Sequence, residues 1–391
     1  MYDIQALRRM EFPHCDEAAV IYFNHAGISP LPARTQAKAQ WAIAQMAANP
    51  GRFWLHEALP LIEDLHRLLA QLINAADPAE IVPIASTGIA LNLVAQAIPW
   101  QPGDNVVFCR QEFPSNAYPW LSLARDGVQA RQTPPDNGGL TLAALRPFVD
   151  ERTRVVAASA IQFFSGHRTN LAEIGAFCQE RGIWFVVDAI QAVGHIPIDV
   201  QAMHIDVLAS GGQKSLLALP GQGFLYVRNE VCAQLQPRSI HGNATVDYAH
   251  WLKQDLTPLP GAARFNTGTP NVVGLIGLHS SVQLLTELGI ANIDQHTRAL
   301  SADAIAHLTR QGYCVITPAD APGPIVTFAS DRSSVETDQL VSRLLEQNVV
   351  VVKHLDEAGN PYIRLSFHCY NTHEEVARFM EIFRVTVQPR S

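Results

Sequence analysis

The stretch Asp206-Val-Leu-Ala-Ser-Gly-Gly-Gln-Lys214-Ser-Leu-Leu-Ala-Leu-Pro-Gly-Gln-Gly-Phe-Leu-Tyr-Val227 decides the fold. It reads as a short apolar strand, a glycine-rich turn carrying one lysine, and a second apolar strand. A lysine in such a turn is desolvated, which disfavours the ammonium and exposes a nucleophilic amine. That amine is suited to a Schiff base with an aldehyde. A lone turn lysine is usually an ordinary solvated one, so a second site has to give it meaning. Upstream lies Ile183-Trp-Phe-Val-Val-Asp188-Ala-Ile-Gln191, a fully apolar run ending in a carboxylate, as a buried parallel strand ends at a functional edge. Pyridoxal phosphate chemistry needs both parts. The lysine holds the aldehyde, and the aspartate keeps the pyridine nitrogen protonated so that the ring acts as an electron sink. A nucleotide-binding P-loop is excluded, because Gln213 precedes Lys214 where that motif requires glycine.

The block Asp188-Ala-Ile-Gln191 followed by Gly-Gln-Lys214 resembles the cofactor signature of the class V aminotransferases, a family of fold-type I pyridoxal phosphate enzymes. That group includes cysteine desulfurases, selenocysteine lyases, kynureninases and isopenicillin N epimerase-like proteins. The resemblance runs from about Tyr22 to Phe379. It implies an α/β fold: a large domain with a mainly parallel, seven-stranded-type sheet, and a smaller C-terminal α+β domain. The expected units are an N-terminal arm (1–20), a large cofactor-binding domain (21–288) and a small domain (289–391). Gln191 would hydrogen-bond the cofactor's phenolic oxygen and Gln213 its phosphate. Ser210 stands one place early against the family's Ser-x-His-Lys.

The chain has 391 residues, 48% of them apolar and 16% charged, enough for a large core. Its net charge of −8 argues against a nucleic-acid surface. No apolar run is long enough to span a bilayer, and the first residues show no signal-peptide core. Six scattered cysteines without CxxC pairs read as reduced thiols of a cytoplasmic protein. The histidines show no zinc spacing.

Further candidates appear along the chain. Tyr22-Phe-Asn-His-Ala-Gly-Ile-Ser-Pro-Leu-Pro32 is a strand running into a turn. It resembles the family's N-terminal segment on the substrate side, which makes His25 either a substrate contact or a structural turn histidine. A long helical stretch from about Pro32 to Ala75 is broken near Asn49-Pro-Gly51. In Ile81-Val-Pro-Ile-Ala-Ser86-Thr87-Gly88, a strand meets a helix N-terminus, which presents free amides and a hydroxyl to an anion. By resemblance, Thr87 and Gly88 hold the cofactor phosphate. Glu112-Phe-Pro-Ser-Asn-Ala-Tyr-Pro-Trp120 resembles the segment whose aromatic ring lies over the pyridine. Desulfurases usually carry histidine there; Phe113 stacks but shuttles no proton. Arg168 reads as a solvated or structural arginine, with a second anion contact as the alternative. In Arg264-Phe-Asn-Thr-Gly-Thr-Pro-Asn271 the resemblance gives Thr269 the phosphate of the other subunit's cofactor, and hence implies a homodimer.

The last block is Ile363-Arg364-Leu-Ser-Phe-His-Cys-Tyr-Asn-Thr. The planar fork of an arginine suits a carboxylate, and by resemblance Arg364 binds the substrate α-carboxylate. The loop before it, residues 352–361, lacks the persulfide-forming cysteine of desulfurases. The expected activity is therefore that of an enzyme acting on an α-amino acid through an external aldimine and an α-carbanion, with Lys214 as the base. The reading favoured is a β-eliminating C–S lyase on a cysteine-type substrate. An aminotransferase and an epimerase stand as alternatives, the epimerase needing a second acid/base such as His25.

Overall fold

The computed structural model describes residues 2–387 apart from 18 and 321. Its strands, in chain order, are β1 (Ile21–Tyr22), β2 (Ile81–Ile84), β3 (Asn105–Cys109), β4 (Gln129–Thr133), β5 (Thr153–Ser159) and β6 (Trp184–Asp188), then β7 (Val207–Gly211), β8 (Gly223–Val227), β9 (Ile325–Ala329), β10 (Val349–Val350), β11 (Val352–Leu355) and β12 (Pro361–Ser366). Seven of them form one sheet in the order β2-β8-β7-β6-β5-β3-β4. The run from β4 to β7 is parallel, and β8 is antiparallel to both β7 and β2.

Successive side chains point to opposite faces of this sheet. Val106, Val155, Val186 and Leu225 enter one apolar core, and Val107, Val156, Phe185 and Phe224 enter the other. Burial on both faces is the reason these strands read as unbroken apolar runs. The parallel strands finish on a common edge at Cys109, Ser159, Asp188 and Gly211, the edge at which doubly wound sheets place their ligands.

The helical stretch forms as Ala33–Ala48 and Leu59–Ile73, and both helices pack on the buried helix Val272–Leu288. The break falls at Asn49, with φ −156°, whose side chain caps the next turn by accepting from Arg52 N at 3.1 Å. Pro50 enforces it, since a residue before proline avoids the helical region. No single helix among the described residues is long and apolar enough to cross a membrane.

The smaller unit is an antiparallel sheet, β11-β12-β9. The helices Ile290–Arg310, Ser334–Leu345 and His373–Val387 cover it around Leu300, Val326, Leu340, Ile363 and Phe379. One expected boundary moves. Ile21 and Phe23 belong to this smaller core, because β1 pairs in parallel with β10 and Phe23 N donates to Val350 O at 2.9 Å. Ala26, three residues on, already lies in the main core. The expected arm is also built in. Asp3 caps the helix Ile4–Glu11, Leu7 and Phe12 enter the main core, and Arg8 Nη1 donates to Tyr370 O and pairs with Glu375.

Candidate active site

Lys214 stands in the turn after β7, at the strand-end edge. Its carbonyl accepts the Ser29 hydroxyl at 2.8 Å, and the Gln213 carbonyl accepts Ser29 N at 2.8 Å. The turn is thereby clamped by the segment after β1. Burial drives the Lys214 pKa down to about 8, with Arg364 pushing the same way and Asp188 opposing. A share of the amine is therefore neutral at physiological pH, the state a nucleophile needs.

Asp188 closes β6. Burial raises its pKa to about 6, against the Ile190 backbone N–H that donates to Oδ1 at 3.1 Å and the charge of Lys214. A buried carboxylate of this kind is ready for a cationic partner. Gln191 donates through Nε2 to Ala26 O at 3.0 Å, which ties the post-β6 turn to the same N-terminal segment. Ser159 pairs with Asp188 across β5 and β6, and it donates both its backbone N–H and its hydroxyl to Glu112. Burial raises the Glu112 pKa to about 7, with the Asp188 charge adding to the effect. Sequence reasoning assigned Glu112 no role, since nothing local marks a carboxylate as buried.

The helix Thr87–Ala97 points its N-terminus at this edge. Ser86 caps it by accepting from Ile89 N, which leaves the amides of Thr87 and Gly88 for an anion. Thr87 Oγ1 accepts from Gly211 N at 2.8 Å and keeps its own proton to donate. A Cβ on Gly88 would meet Ser115 Oγ at 3.3 Å, and one on Gly211 would meet Gln213 Oε1 at 2.7 Å. Both glycines therefore leave a narrow cradle. Thr269 lies apart from it, exposed on the loop 266–271, which lines a separate cleft of about 230 Å³ with Ala85 and Gly221.

The opposite wall is aromatic. Lys214 Nζ sits 5.1 Å from the centre of the half-exposed Phe113 ring, and Phe113 meets Phe163 edge-on at 5.1 Å. Arg364, on β12, is buried and donates through Nη1 to Phe163 O at 2.8 Å, while its Nε has no partner. Burial lowers its pKa to about 10, and a buried guanidinium short of partners calls for an anion. His354, on β11, also presents an unpartnered buried Nε2. Its pKa falls to about 4 through burial first, then through the charges of Arg364 and Lys214. Sequence reasoning missed it. The only local signal is a polar pair, Lys353-His354, closing a run of valines.

His25 is corrected. Its ring is fully buried against Tyr22, His368 and Tyr370, with no face open to a substrate. Its Nδ1 lies 2.9 Å from Ser29 Oγ. That hydroxyl gives its single proton to Lys214 O, so Nδ1 is the donor and His25 braces the lysine turn from behind. Arg168 pairs with Asp294 at 2.9 Å, as a structural arginine would.

These residues fit pyridoxal phosphate. They offer a desolvated amine for an aldehyde, a buried carboxylate for a ring nitrogen, an aromatic face, and a helix N-terminus opening on a glycine cradle for phosphate. The fold and the site thus define a cofactor-dependent enzyme acting on a small carboxylate-bearing molecule. The family profile described as Aminotransferase class-V matches residues 21–379, and the chain belongs to that family of pyridoxal phosphate-dependent enzymes. The chain is 29% identical over 376 residues to a probable cysteine desulfurase of Methanothermobacter thermautotrophicus, covering 91% of this chain and 92% of that protein. It is 28% identical to the uncharacterized aminotransferase YcbU of Bacillus subtilis, over 82% of each. Among solved structures, the cysteine desulfurase CsdA of Escherichia coli matches with a TM-score of 0.88 at 25% identity, over 99% of both chains. The cystine C-S lyase C-DES, solved with cysteine persulfide, shares the fold at a TM-score of 0.86 and 23% identity, over 95% of this chain and 99% of that one.

Proposed function

We propose that this enzyme is a lyase that breaks the Cβ–S bond of a cysteine-type amino acid. The observation that carries this reading is the pairing of a desolvated Lys214 with a buried, partner-seeking Arg364 across an aromatic wall. The cysteine desulfurase relatives support the substrate class.

The cofactor would be held at five points. Thr87, Gly88 and Gln213 take its phosphate, Asp188 its ring nitrogen, Phe113 and Gln191 its ring and phenolic oxygen, and Lys214 its aldehyde. Bound there, it supplies a sink for the electron pair left at the substrate α-carbon. Arg364 holds the α-carboxylate through the nitrogens not given to Phe163 O, and so orients the Cα–H bond. Freed when the substrate amine takes its place, Lys214 Nζ removes the α-proton, a task that its lowered pKa suits at neutral pH. The electron pair then expels sulfur from Cβ. Residues 352–361 contain no cysteine, so the sulfur leaves as a free thiol rather than on the protein.

The test supplies cofactor-loaded protein with S-substituted cysteines and no keto-acid acceptor. A lyase releases pyruvate over many turnovers with its absorption band restored. One keto acid per site, with the cofactor left as the amine, would instead make it an aminotransferase. An epimerase needs a second proton-transfer group facing Lys214, and a sealed His25 does not supply it.

The working unit we propose is a homodimer in which Thr269 reaches the neighbouring cofactor phosphate. Support comes from the exposure of Thr269 and from the exposed Ile240, Val246, Leu252 and Leu256 on the adjoining segment. A fully active monomer in light scattering would refute it.

A further inference from the structure

The hairpin of β11 and β12 forms one wall of the site. Val352 pairs with Arg364, and His354 pairs with Tyr362. Alternation therefore makes His354 a diagonal neighbour of Arg364 on the same face. Each carries a buried nitrogen with no partner, Nε on Arg364 and Nε2 on His354. His25, His66, His167 and His195 also carry a buried Nε2 without a partner, but His354 is the one on this hairpin, diagonal to Arg364. The substrate carboxylate accounts for the first of these two nitrogens; nothing in the mechanism above accounts for the second.

The surroundings of His354 are aromatic. Its ring meets Phe163 edge-on at 5.8 Å and Phe164 at 6.3 Å. Phe163 continues to Phe113, whose ring lies 5.1 Å from Lys214 Nζ. Phe113 and Phe163, in contact with each other, thus connect the surroundings of the reactive amine with those of the imidazole.

We propose that His354 Nε2 binds the sulfur of the substrate side chain and is the residue that selects a sulfur-bearing substrate over its carbon isostere. The proposal rests on the C–S lyase reading and names the group that reads the sulfur. Burial holds the imidazole neutral, with the Arg364 and Lys214 positions pushing the same way, so it does not attract a carboxylate side chain as a cation would. A neutral N–H between aromatic rings suits a polarizable sulfur, which packs well against ring edges. When the Cβ–S bond breaks, its electron pair leaves on sulfur, and Nε2–H donates a hydrogen bond to that growing charge. The hairpin holds no cysteine to do this.

The test compares S-methyl-L-cysteine with L-norvaline, in which a methylene replaces the sulfur. Stopped-flow titration of the cofactor absorption gives the dissociation constant of each for the holoenzyme, for His354→Leu and for His354→Gln. The leucine variant should bind S-methylcysteine about tenfold more weakly, the size of one hydrogen bond, and leave norvaline within about twofold. The glutamine variant, which keeps an N–H, should regain most of the difference. Equal weakening of both ligands would mean that His354 only shapes the wall, and no change in either would mean that it faces nothing; either result overturns the proposal. If the wild-type enzyme transaminates S-methylcysteine, the lyase reading fails, while the ratio of the two constants still decides His354. Unchanged melting temperatures show that the variants remain folded.

Discussion

The floor of the site and its wall are built on opposite plans. On the floor, the lysine turn, Asp188, Gln191 and Thr87 all have partners: Ser29 clamps the turn, Ile190 N donates to Asp188, Gln191 reaches Ala26 O, and Thr87 receives Gly211 N. On the wall, Arg364 and His354 each keep a buried nitrogen empty. A floor held by these bonds is set in advance, which suits a cofactor that stays. An unsatisfied wall is completed only when substrate arrives, so its cost in the free enzyme becomes binding selectivity.

The contrast predicts different damage from the two sides. The largest effect is expected on the floor. Asp188→Asn should cut kcat by about a hundredfold or more, because a preorganised charge at the reacting ring is lost, and it should do so with substrate affinity little changed. A fall of less than tenfold would remove Asp188 from the ring nitrogen. Arg364→Gln should act the other way, raising KM by roughly ten- to a hundredfold through the loss of a charge-assisted contact, while the cofactor loads as before. Poor cofactor loading in that variant would move Arg364 to the floor. The smallest effect is in pH. Burial favours the neutral Lys214 amine, so the rate of cofactor loading by the apo-protein should rise with pH and level off above about 8. A rise that continues towards 10.5, the value of an ordinary lysine, would show a solvated side chain.

The same contrast explains what could be read from the chain. The floor is written in local pattern. An apolar strand ending in Asp188 and a glycine-rich turn at Lys214 carry their meaning within a few residues, and so does the Asn49-Pro50 break between helices. The wall depends on pairings that leave no periodic trace. His354 becomes a site residue only because β11 folds back on β12. Ile21 and Phe23 pass to the smaller core only because β1 meets β10, more than three hundred residues away in sequence. His25 misled for a related reason. Its place beside the site was legible, but whether its ring faces outward or inward depends on His368 and Tyr370, from the far end of the chain.

The most direct test is to trap the cofactor on the protein. The chain has four lysines, at 38, 214, 253 and 353. Lys353 is held by Asp338 at 2.6 Å, and Lys253 lies in an exposed pair with Asp247. Holoenzyme reduced with borohydride and digested should yield one pyridoxyl-bearing peptide, modified at Lys214, and Lys214→Ala should lose both that peptide and the visible absorption band. Modification at another lysine, or an unchanged band in the alanine variant, would contradict the central claim that the desolvated turn lysine holds the cofactor.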